Sequence, residues 1–402
     1  MIPLTSLRER MEAALPGMLA DIEALVTCES PSHDLAAVAR SAEVVADLGR
    51  ARLGAEPERI IIDGRTHLCW RLGRGPSRVL LLGHHDTVWP IGSLATHPFS
   101  ITDGVLRGPG CFDMKAGLVM AFHAAAALAE TDGVTLLVTG DEELGSPSSR
   151  DLIEAQARGC LAALVLEAAA GGGALKTERK GTSLYEVRVH GRAAHAGLEP
   201  ETGVNATVEL AHQVLAITAL ADPAAGTTVT PTVLSAGAAS NTVPAGGAVA
   251  VDVRVRNGVE QDRVDAAMRA LTAVLPGARL EVTGGPNRGP LEAASSAALF
   301  ARAAQLALAL GLDPLTSASV GGASDGNFTA GVGTPTLDGL GASGGGAHAD
   351  HEHVLVAELA GGTALLAALV ADLLTDPAAS STTEAAPSST TNAPAPSGAR
   401  RP

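Results

Sequence analysis

Three apolar runs that each end in acidic or histidine residues constrain the fold of this 402-residue chain more than any other feature. The runs are RVLLLGHHD (78–86), VTLLVTGDEELG (134–145) and LAALVLEAA (161–169). A continuous apolar run of this length predicts a strand that is buried on both faces. A helical pattern, AGLVMAFHAAAALAE (116–130), separates the first two runs. Strands that alternate with helices predict an α/β fold with a central, mostly parallel sheet and helices on both faces.

The sequence pattern changes between residues 180 and 288. TSLYEVRVHG (182–191) alternates polar and apolar residues, as a strand with one solvent-exposed face does. The predicted order of elements in this segment is β-α-β-β-α-β, which is typical of a small, ferredoxin-like α+β domain. We therefore predict three parts of the chain: a discontinuous catalytic domain (1–179 and 289–374), an inserted domain (180–288) and a disordered tail (375–402). The tail is rich in Ala, Ser, Thr and Pro and cannot bury enough apolar surface to fold.

Composition excludes several classes of function. The formal net charge of −15 argues against a nucleic-acid partner, because phosphate binding requires clustered Lys and Arg. No run reaches about 18 uninterrupted apolar residues, so no membrane span is expected, and the charged N-terminal segment does not predict a signal peptide. The four cysteines form no CxxC pair, which is typical of buried thiols in a reducing compartment. The expected location is the cytoplasm.

The residues that could carry chemistry lie at the predicted strand ends and in loops before helices. They are His84, Asp86, Asp113, Glu142, Glu143, Glu167 and His348. Ligands gather at the carboxyl ends of strands in open α/β sheets, so these side chains should share one crevice. Carboxylates and imidazoles without thiolates suit zinc, cobalt or manganese. One bridging carboxylate would give a two-metal site that lowers the pKa of a bound water to about 7.

Several motifs resemble those of the zinc aminoacylase and carboxypeptidase family, which includes acetylornithine deacetylase, succinyl-diaminopimelate desuccinylase and aminoacylase. The resemblance covers about residues 15–374 and is strongest to the bacterial folate-hydrolysing glutamate carboxypeptidases. The motifs occur in the family's order and are GHHDTV (83–88), GPGCFDMKAG (108–117), TGDEELGSPSSRDLI (139–153), LVLEAA (164–169), GRAAHAGLEPETGVNA (191–206), NTVP (241–244), VDVR (251–254) and AHADHEHV (347–354).

The resemblance implies two zinc ions per subunit and five ligands. Asp113 bridges the two ions, and its motif implies a cis peptide bond to the following residue. His84 and Glu167 complete one metal position. Glu143 and His348 complete the other.

The resemblance also implies roles for five further residues. Glu142 is the general base, and Asp86 orients the ligand histidine. His195 reaches the active site of a second subunit and stabilises the oxyanion, which implies a homodimer built through the inserted lid domain. Asn241 and Arg254 contact the free carboxylate of the substrate.

For three other residues, the expected role is less specific. His85 points to the opposite face of its strand from its two neighbours, so we expect a structural role. Arg288 lies at the junction between the predicted domains and could contact substrate. Asp325 lies in a Gly-rich loop that would line the pocket, and the simplest expectation is that it positions this loop.

The sequence leaves three hypotheses about function. The first is a metallohydrolase that cleaves the amide bond of an N-acyl or aminoacyl amino acid with a free carboxylate. The second keeps the same site but makes the chain a pathway-specific deacylase, or an amide-forming enzyme, of biosynthesis. The third is a non-catalytic dimeric binding protein with a degenerate site, which the presence of all five implied ligands disfavours. Aromatic residues are only 2% of the chain, so a flat substrate such as folate would find few stacking partners.

Overall fold

The computed structural model describes residues 4–375. This part of the chain contains nine α-helices: α1 (Leu4–Thr27), α2 (Leu35–Leu53), α3 (Ala116–Ala127), α4 (Arg150–Ala157), α5 (Ala206–Thr218), α6 (Gly258–Arg269), α7 (Ala293–Ala309), α8 (Gly326–Gly331) and α9 (Val356–Thr375). The predicted tail lies outside the described residues, except that Thr375 is the last residue of α9.

The strands of the described part vary from two to ten residues in length. They are β1 (Glu58–Ile62), β2 (Arg65–Leu72), β3 (Val79–His84), β4 (Ser100–Thr102), β5 (Val105–Arg107), β6 (Val134–Thr139), β7 (Ala162–Val165), β8 (Leu175–Arg179), β9 (Gly181–His190), β10 (Ala194–His195), β11 (Thr228–Ala236), β12 (Thr242–Val243), β13 (Gly246–Val255), β14 (Arg279–Arg288), β15 (Ser317–Val320), β16 (Thr336–Leu337), β17 (Gly344–Gly345) and β18 (His353–Leu355).

A six-stranded sheet forms the centre of the larger part of the fold, in the order β1-β2-β6-β3-β7-β16. The pairs β6–β3, β3–β7 and β7–β16 are parallel, whereas β1 and β2 form an antiparallel edge. His84 at the end of β3 pairs with Thr139 at the end of β6. The carboxyl ends of the parallel strands therefore meet at one edge of the sheet, where ligand sites form in open α/β folds.

Helices cover both faces of this sheet. Each strand sends alternate side chains to opposite sides, so apolar residues of the same strands line both faces. One face packs against α1, α2, α3, α7 and α9, through Val79, Leu81, Leu136, Val138 and Leu164. The other face packs against α4 and α8, through Leu80, Leu82, Leu137 and Ala163. Strands β3, β6 and β7 are buried along their full length, as the continuous apolar runs predict.

A separate four-stranded antiparallel sheet has the order β11-β13-β9-β14, and α5 and α6 pack against it. Its elements lie within residues 181–288 and follow the predicted order β-α-β-β-α-β. Val side chains on β9 and β13 form the largest group in the core of this unit, and residues of α5 and α6 pack against them. The predicted fold class, a central mostly parallel sheet with an inserted ferredoxin-like unit, is confirmed.

Local sequence signals explain where the helices begin and end. The Asp34 carboxylate accepts hydrogen bonds from the backbone N–H groups of Ala36 and Ala37, so it caps the first turn of α2. Gly54 ends the same helix with a φ of 65°, a left-handed conformation that favours glycine.

Helix α9 is the one helix in residues 4–375 that is long and apolar enough to cross a membrane by length and composition. However, 61% of its apolar window is buried inside the fold, and the helix packs against α1 and α3. This is the burial expected of a core helix.

Candidate active site

Asp113 lies between two histidines, and each of its carboxylate oxygens faces one of them. Its Oδ1 is 3.3 Å from Nε2 of His84, and its Oδ2 is 3.3 Å from Nε2 of His348. The His84 side chain is buried, whereas 49% of the His348 side chain is exposed. A carboxylate that presents one oxygen to each of two imidazoles has the geometry of a bridge between two neighbouring sites.

Each histidine also faces a second carboxylate. Glu167 follows β7, and its Oε1 is 3.7 Å from Nε2 of His84. Glu143 lies in the turn after β6, and its Oε2 is 3.1 Å from Nε2 of His348. The structure thus brings the five implied ligands together in two groups that share Asp113.

The turn that carries Asp113 is shaped by the sequence GPGCFDMKAG (108–117). Gly110 has a φ of 70°, a left-handed conformation that favours glycine. The Asp113–Met114 peptide bond is cis, as the resemblance implied. At Gly117 a Cβ atom would lie 2.1 Å from the backbone oxygen of Leu166, so the first turn of α3 approaches the chain after β7 as closely as glycine allows.

Asp86 contacts both His84 and the segment that carries Glu142 and Glu143. The His84 Nδ1 lies 3.0 Å from the backbone oxygen of Asp86 and 3.5 Å from its Oδ1, which directs Nε2 towards Asp113. The Asp86 carboxylate also accepts hydrogen bonds from the Ser32 hydroxyl and from the backbone N–H groups of Glu142 and Glu143. Burial alone would raise the pKa of Asp86, but the contacts with His84 and Ser32 lower it below its ordinary value.

Two buried atoms at the centre of the cluster have no hydrogen-bond partner among residues 4–375. They are His84 Nε2 and Asp113 Oδ1, which lie 3.3 Å apart. A buried polar atom without a partner costs about 1–3 kcal/mol, and a cation bound between these atoms would satisfy both. The donor set of two imidazoles and three carboxylates fits zinc, cobalt or manganese.

The carboxylates also change the proton affinity of both histidines. Burial lowers the pKa of His84, but the neighbouring carboxylates of Asp113 and Asp86 outweigh burial and raise this pKa well above its ordinary value. Hydrogen bonds to Asp113 and Glu143 raise the pKa of His348 to about 10. Protons and metal ions therefore compete for these two imidazoles.

Glu142 lies at the edge of the same cluster. One carboxylate oxygen of Glu142 and atoms of His84 and Glu167 that could bind a metal all lie within 4.8 Å of one another, so distance alone does not separate Glu142 from the implied metal ligands. Its Oε1, however, accepts a hydrogen bond of 3.1 Å from Arg288. Burial raises the pKa of Glu142 well above its ordinary value, and the charge of Arg288 opposes part of that shift. A glutamate with a raised pKa suits proton transfer near neutral pH.

Arg288 is buried beside Glu142 at the end of β14. Its Nη2 also donates to the hydroxyl of Ser146 at 2.8 Å and to Oδ1 of Asp325 at 2.9 Å. Its guanidinium group lies 4.8 Å from the ring centroid of Phe328, in the position of a cation–π contact. Arg288, which the sequence places at the junction between the predicted domains, therefore contacts Glu142, the general base that the resemblance implies.

His195, Asn241 and Arg254 lie in the inserted unit. None of them forms a hydrogen bond or ion pair with the acid and histidine cluster within residues 4–375. His195 is exposed, and its Nδ1 accepts a hydrogen bond from the backbone of Gly197. Arg254 instead forms two hydrogen bonds, of 2.8 and 2.9 Å, with the carboxylate of Asp252.

Two other polar side chains near the cluster have structural contacts. His85 lies on the opposite side of its strand, with Nδ1 3.2 Å from the Ser41 hydroxyl and Nε2 3.1 Å from the Thr66 carbonyl. Burial lowers the pKa of His85 to about 4, so this imidazole is neutral at pH 7. The buried Lys115 donates to the carbonyl of Cys28.

Glu352, which no sequence pattern singled out, is buried behind the Asp113 turn and accepts hydrogen bonds from the backbone of that turn. The available signal was an acid four residues after His348 in GGGAHADHEH. Composition alone does not distinguish such an acid from a solvated one, because its partners lie about 240 residues away in the sequence.

The chain is similar to known proteins over most of its length. It matches the sequence profile described as peptidase family M20/M25/M40 over residues 80–372. It is 32% identical to carboxypeptidase G2 of Pseudomonas sp. (strain RS-16) over 301 residues, which are 70% of each chain. It is 28% identical to succinyl-diaminopimelate desuccinylase of Methylorubrum extorquens (strain PA1), over 67% of this chain and 75% of that protein.

Solved structures share the fold at low sequence identity. The M20 family metallo-carboxypeptidase Sso-CP2 from Sulfolobus solfataricus has a TM-score of 0.67 and 14% identity, over 89% of this chain and 99% of that chain. A tripeptidase from Staphylococcus aureus subsp. aureus Mu50 has a TM-score of 0.68 and 19% identity, over 89% and 98%. Since the family profile matches well over half of the chain, the protein belongs to peptidase family M20/M25/M40, a family of metal-dependent enzymes that hydrolyse amide bonds.

Proposed function

We propose that this enzyme carries two zinc ions per subunit and cleaves the amide bond of an N-acyl or aminoacyl amino acid with a free carboxylate, as a glutamate carboxypeptidase does. The observation that carries the proposal is the position of Asp113, with one oxygen 3.3 Å from each histidine. The similarity to carboxypeptidase G2 supports this choice of substrate class. Cobalt or manganese would suit the same donors.

The proposed ligands form two positions around one bridge. Asp113 would be shared, His84 and Glu167 would hold one ion, and Glu143 and His348 would hold the other. When bound, the two ions would polarise the scissile carbonyl and lower the pKa of the attacking water. Asp86 is not a ligand in this proposal. It fixes the orientation of His84, as carboxylates commonly do for metal-binding histidines.

Glu142 is the proposed general base. It accepts the proton of the attacking water and then gives a proton to the leaving amine. Its raised pKa supports this role, because a carboxylate with a pKa closer to neutral pH is a stronger base and can also return the proton more readily. The hydrogen bond from Arg288 to Oε1 fixes the carboxylate at the edge of the cluster.

We assign recognition of the substrate carboxylate to Arg254 and Asn241. Arg254 already binds the Asp252 carboxylate through two of its nitrogens, which is the paired geometry that a guanidinium group offers to a carboxylate. A substrate carboxylate would take the place of Asp252. Asn241 lies beside His195, since its carbonyl accepts a hydrogen bond from Ala196.

A homodimer is part of the proposal, because His195 lies outside the cluster of its own chain. Strand β11 is an edge strand, and its side chains Val233 and Leu234 are 69% and 51% exposed. An exposed apolar edge strand favours pairing with another chain. In such a dimer His195 of one subunit would stabilise the oxyanion in the site of the other.

The alternative hypothesis is a pathway-specific deacylase, or an amide-forming enzyme, with the same metal site. It is supported by the similarity to succinyl-diaminopimelate desuccinylase. It is also supported by the 2% aromatic content, which offers few stacking partners to a flat acyl group. The cytoplasm remains the proposed compartment, since all four cysteines are free.

A hydrolysis screen tests the proposed function. The full chain, stripped of metal and then loaded with zinc or cobalt, is offered N-acetyl and N-benzoyl amino acids, N-succinyl amino acids, aminoacyl-glutamates and folate, and amine release is followed. Release confined to substrates with a carboxyl-terminal Glu or Asp supports the carboxypeptidase, and release from simple N-acyl substrates supports the deacylase. No release from any substrate by a protein that binds two ions would contradict the carboxypeptidase and favour an enzyme with a pathway-specific substrate.

A further inference from the structure

Glu352 accepts four hydrogen bonds in a buried position. Only 3% of the residue is exposed. Its Oε1 accepts from the backbone N–H groups of Phe112 at 2.9 Å and Asp113 at 3.0 Å. Its Oε2 accepts from the backbone N–H of Gly110 at 2.9 Å and from the Trp89 indole at 2.7 Å. A carboxylate has about four acceptor sites, so the surrounding donors use all of them.

The chemistry of these contacts requires a carboxylate at this position. All four partners are N–H donors, and three of them belong to the turn that carries Asp113. An amide of the same size has one acceptor oxygen, and its NH₂ group would face two donors. Hydrogen bonds to an ionised acceptor are also stronger than those to a neutral one.

Glu352 also ends the loop that carries His348. The backbone N–H of Glu352 donates to the carbonyl of Ala349, and Ala349 in turn donates to Gly346. His348 has a φ of 62°, which is uncommon for a residue with a side chain, and its imidazole is half exposed. This loop therefore depends on its ends for its position, and one end is bonded to the Asp113 turn.

The other metal position has different supports. His84 is the last residue of β3, and Glu167 follows β7, so both are held by paired strands of the central sheet. The Asp86 contacts further fix His84. This position shares the Asp113 turn with the other one, but its histidine is not on the loop that ends at Glu352.

We propose that Glu352 is a positioning residue that fixes the Asp113 turn against the His348 loop and so sets the metal position formed by Asp113, Glu143 and His348. This inference rests on the proposed two-metal site. It predicts that loss of the Glu352 carboxylate weakens binding at this position more than binding at the position of His84 and Glu167.

Metal titration of the full chain tests this role without a substrate. Zn²⁺ binding to metal-free wild type, Glu352→Gln and Glu352→Asp is measured by calorimetry and by metal analysis, and the visible spectrum is recorded during titration with Co²⁺. Glu358→Gln is the matched control, because Glu358 is exposed in the first turn of α9. Far-UV circular dichroism verifies folding, and Glu352→Asp keeps the charge if Glu352→Gln does not fold.

The expected result is one ion bound with wild-type affinity and the other bound about 10- to 100-fold more weakly, the usual effect of losing a group that orients a ligand. The Co²⁺ spectrum should change in the weakened step, and Glu358→Gln should match wild type. Wild-type affinity for both ions in the Glu352 variants would overturn the inference, and equal weakening of both would overturn its selectivity. Fewer than two ions in wild type would instead overturn the proposed two-metal site, and the inference with it.

Discussion

Asp86 shows how one buried carboxylate connects two functions of the candidate site. It orients His84, and it accepts hydrogen bonds from the backbone of Glu142 and Glu143. A shift of this one side chain would therefore move a proposed ligand and the proposed base together. Such shared supports explain why groups in active sites act as a unit and why their mutational effects are not additive.

Replacement of Glu142 by Gln tests its role as general base. The amide keeps the size of the side chain but cannot accept a proton, so we expect kcat to fall by about 10²–10⁴-fold. Metal content should stay at the wild-type value. Glu201→Gln, at an exposed position, is the control. Loss of one metal ion together with the activity would make Glu142 a ligand, as its distance from His84 and Glu167 also allows.

Metal affinity should fall as the pH is lowered. The pKa of His84 is raised well above its ordinary value and that of His348 is raised to about 10, so below these values each imidazole holds a proton that metal binding must displace. We expect affinity to decrease about tenfold per pH unit for each proton displaced between about pH 6 and 8. Calorimetry in buffers of different ionisation enthalpy measures this release, and a binding heat independent of the buffer would contradict it.

The sequence could indicate the candidate ligands because each of them follows a strand or precedes a helix. It could not place Arg288 against Glu142, since the two residues are 146 positions apart and no local pattern links them. Glu352 is a similar case, because its acceptor role is visible only once the Asp113 turn is folded against it. Contacts that close long loops are set by tertiary packing, which periodicity does not encode.

At the scale of elements, the buried strands of the central sheet were predictable, whereas its exposed edge strand β1 was not. Strands β3, β6 and β7 are continuous apolar runs, whereas β1 is mostly exposed and has a weak pattern. The β1–β2 hairpin was missed despite a usable signal, Asp63-Gly64. These two residues have φ angles of 51° and 78°, and Ile62 pairs directly with Arg65 across them. A two-residue Asp-Gly loop is a strong hairpin signal.

The contact between α3 and the chain after β7 yields a prediction about stability. Gly117→Ala would place a Cβ atom 2.1 Å from the backbone oxygen of Leu166, so α3 or the strand must shift. We expect a loss of about 1–3 kcal/mol in the free energy of unfolding, the usual cost of overpacking. Gly258→Ala is the matched control, because Gly258 also lies in a first helical turn but no atom of the described residues lies within 4 Å of its Cβ position.

Chemical denaturation of both glycine variants provides the measurement. Gly258→Ala should be neutral or stabilising by up to about 1 kcal/mol, since alanine reduces the entropy of the unfolded chain. A Gly117→Ala variant as stable as this control would show that α3 can move away from Leu166 at little cost.

At the scale of the whole molecule, the insertion of one unit into another separates the proposed catalytic groups. The cluster of ligands lies at the edge of the central sheet, whereas His195 lies on an exposed segment of the inserted unit. If the reaction requires both, one chain is incomplete, and the exposed edge strand β11 offers a way to bring a second chain to it.

Mixed dimers test whether His195 acts across the subunit boundary. His195→Ala alone should lower kcat by about 10²–10³-fold, as loss of an oxyanion donor does. Glu142→Gln alone should lower kcat at least as much. In a mixed dimer, however, the site of the His195→Ala subunit keeps its own Glu142 and receives an intact His195 from the other subunit. Random assembly would make half of the dimers mixed, each with one intact site, so activity should recover to about a quarter of wild type.

The measurement is the activity of the two variants after co-expression or joint refolding, compared with the same variants mixed without subunit exchange. Recovery only in the exchanged sample requires a dimer and places His195 in the partner's site. If His195 served its own chain, every subunit would still carry one lesion, and activity would stay at the level of the separate variants. Size-exclusion chromatography with light scattering, on differently tagged subunits from the same samples, distinguishes this outcome from a failure to exchange. Subunits that have exchanged elute together, whereas subunits that have not exchanged elute apart.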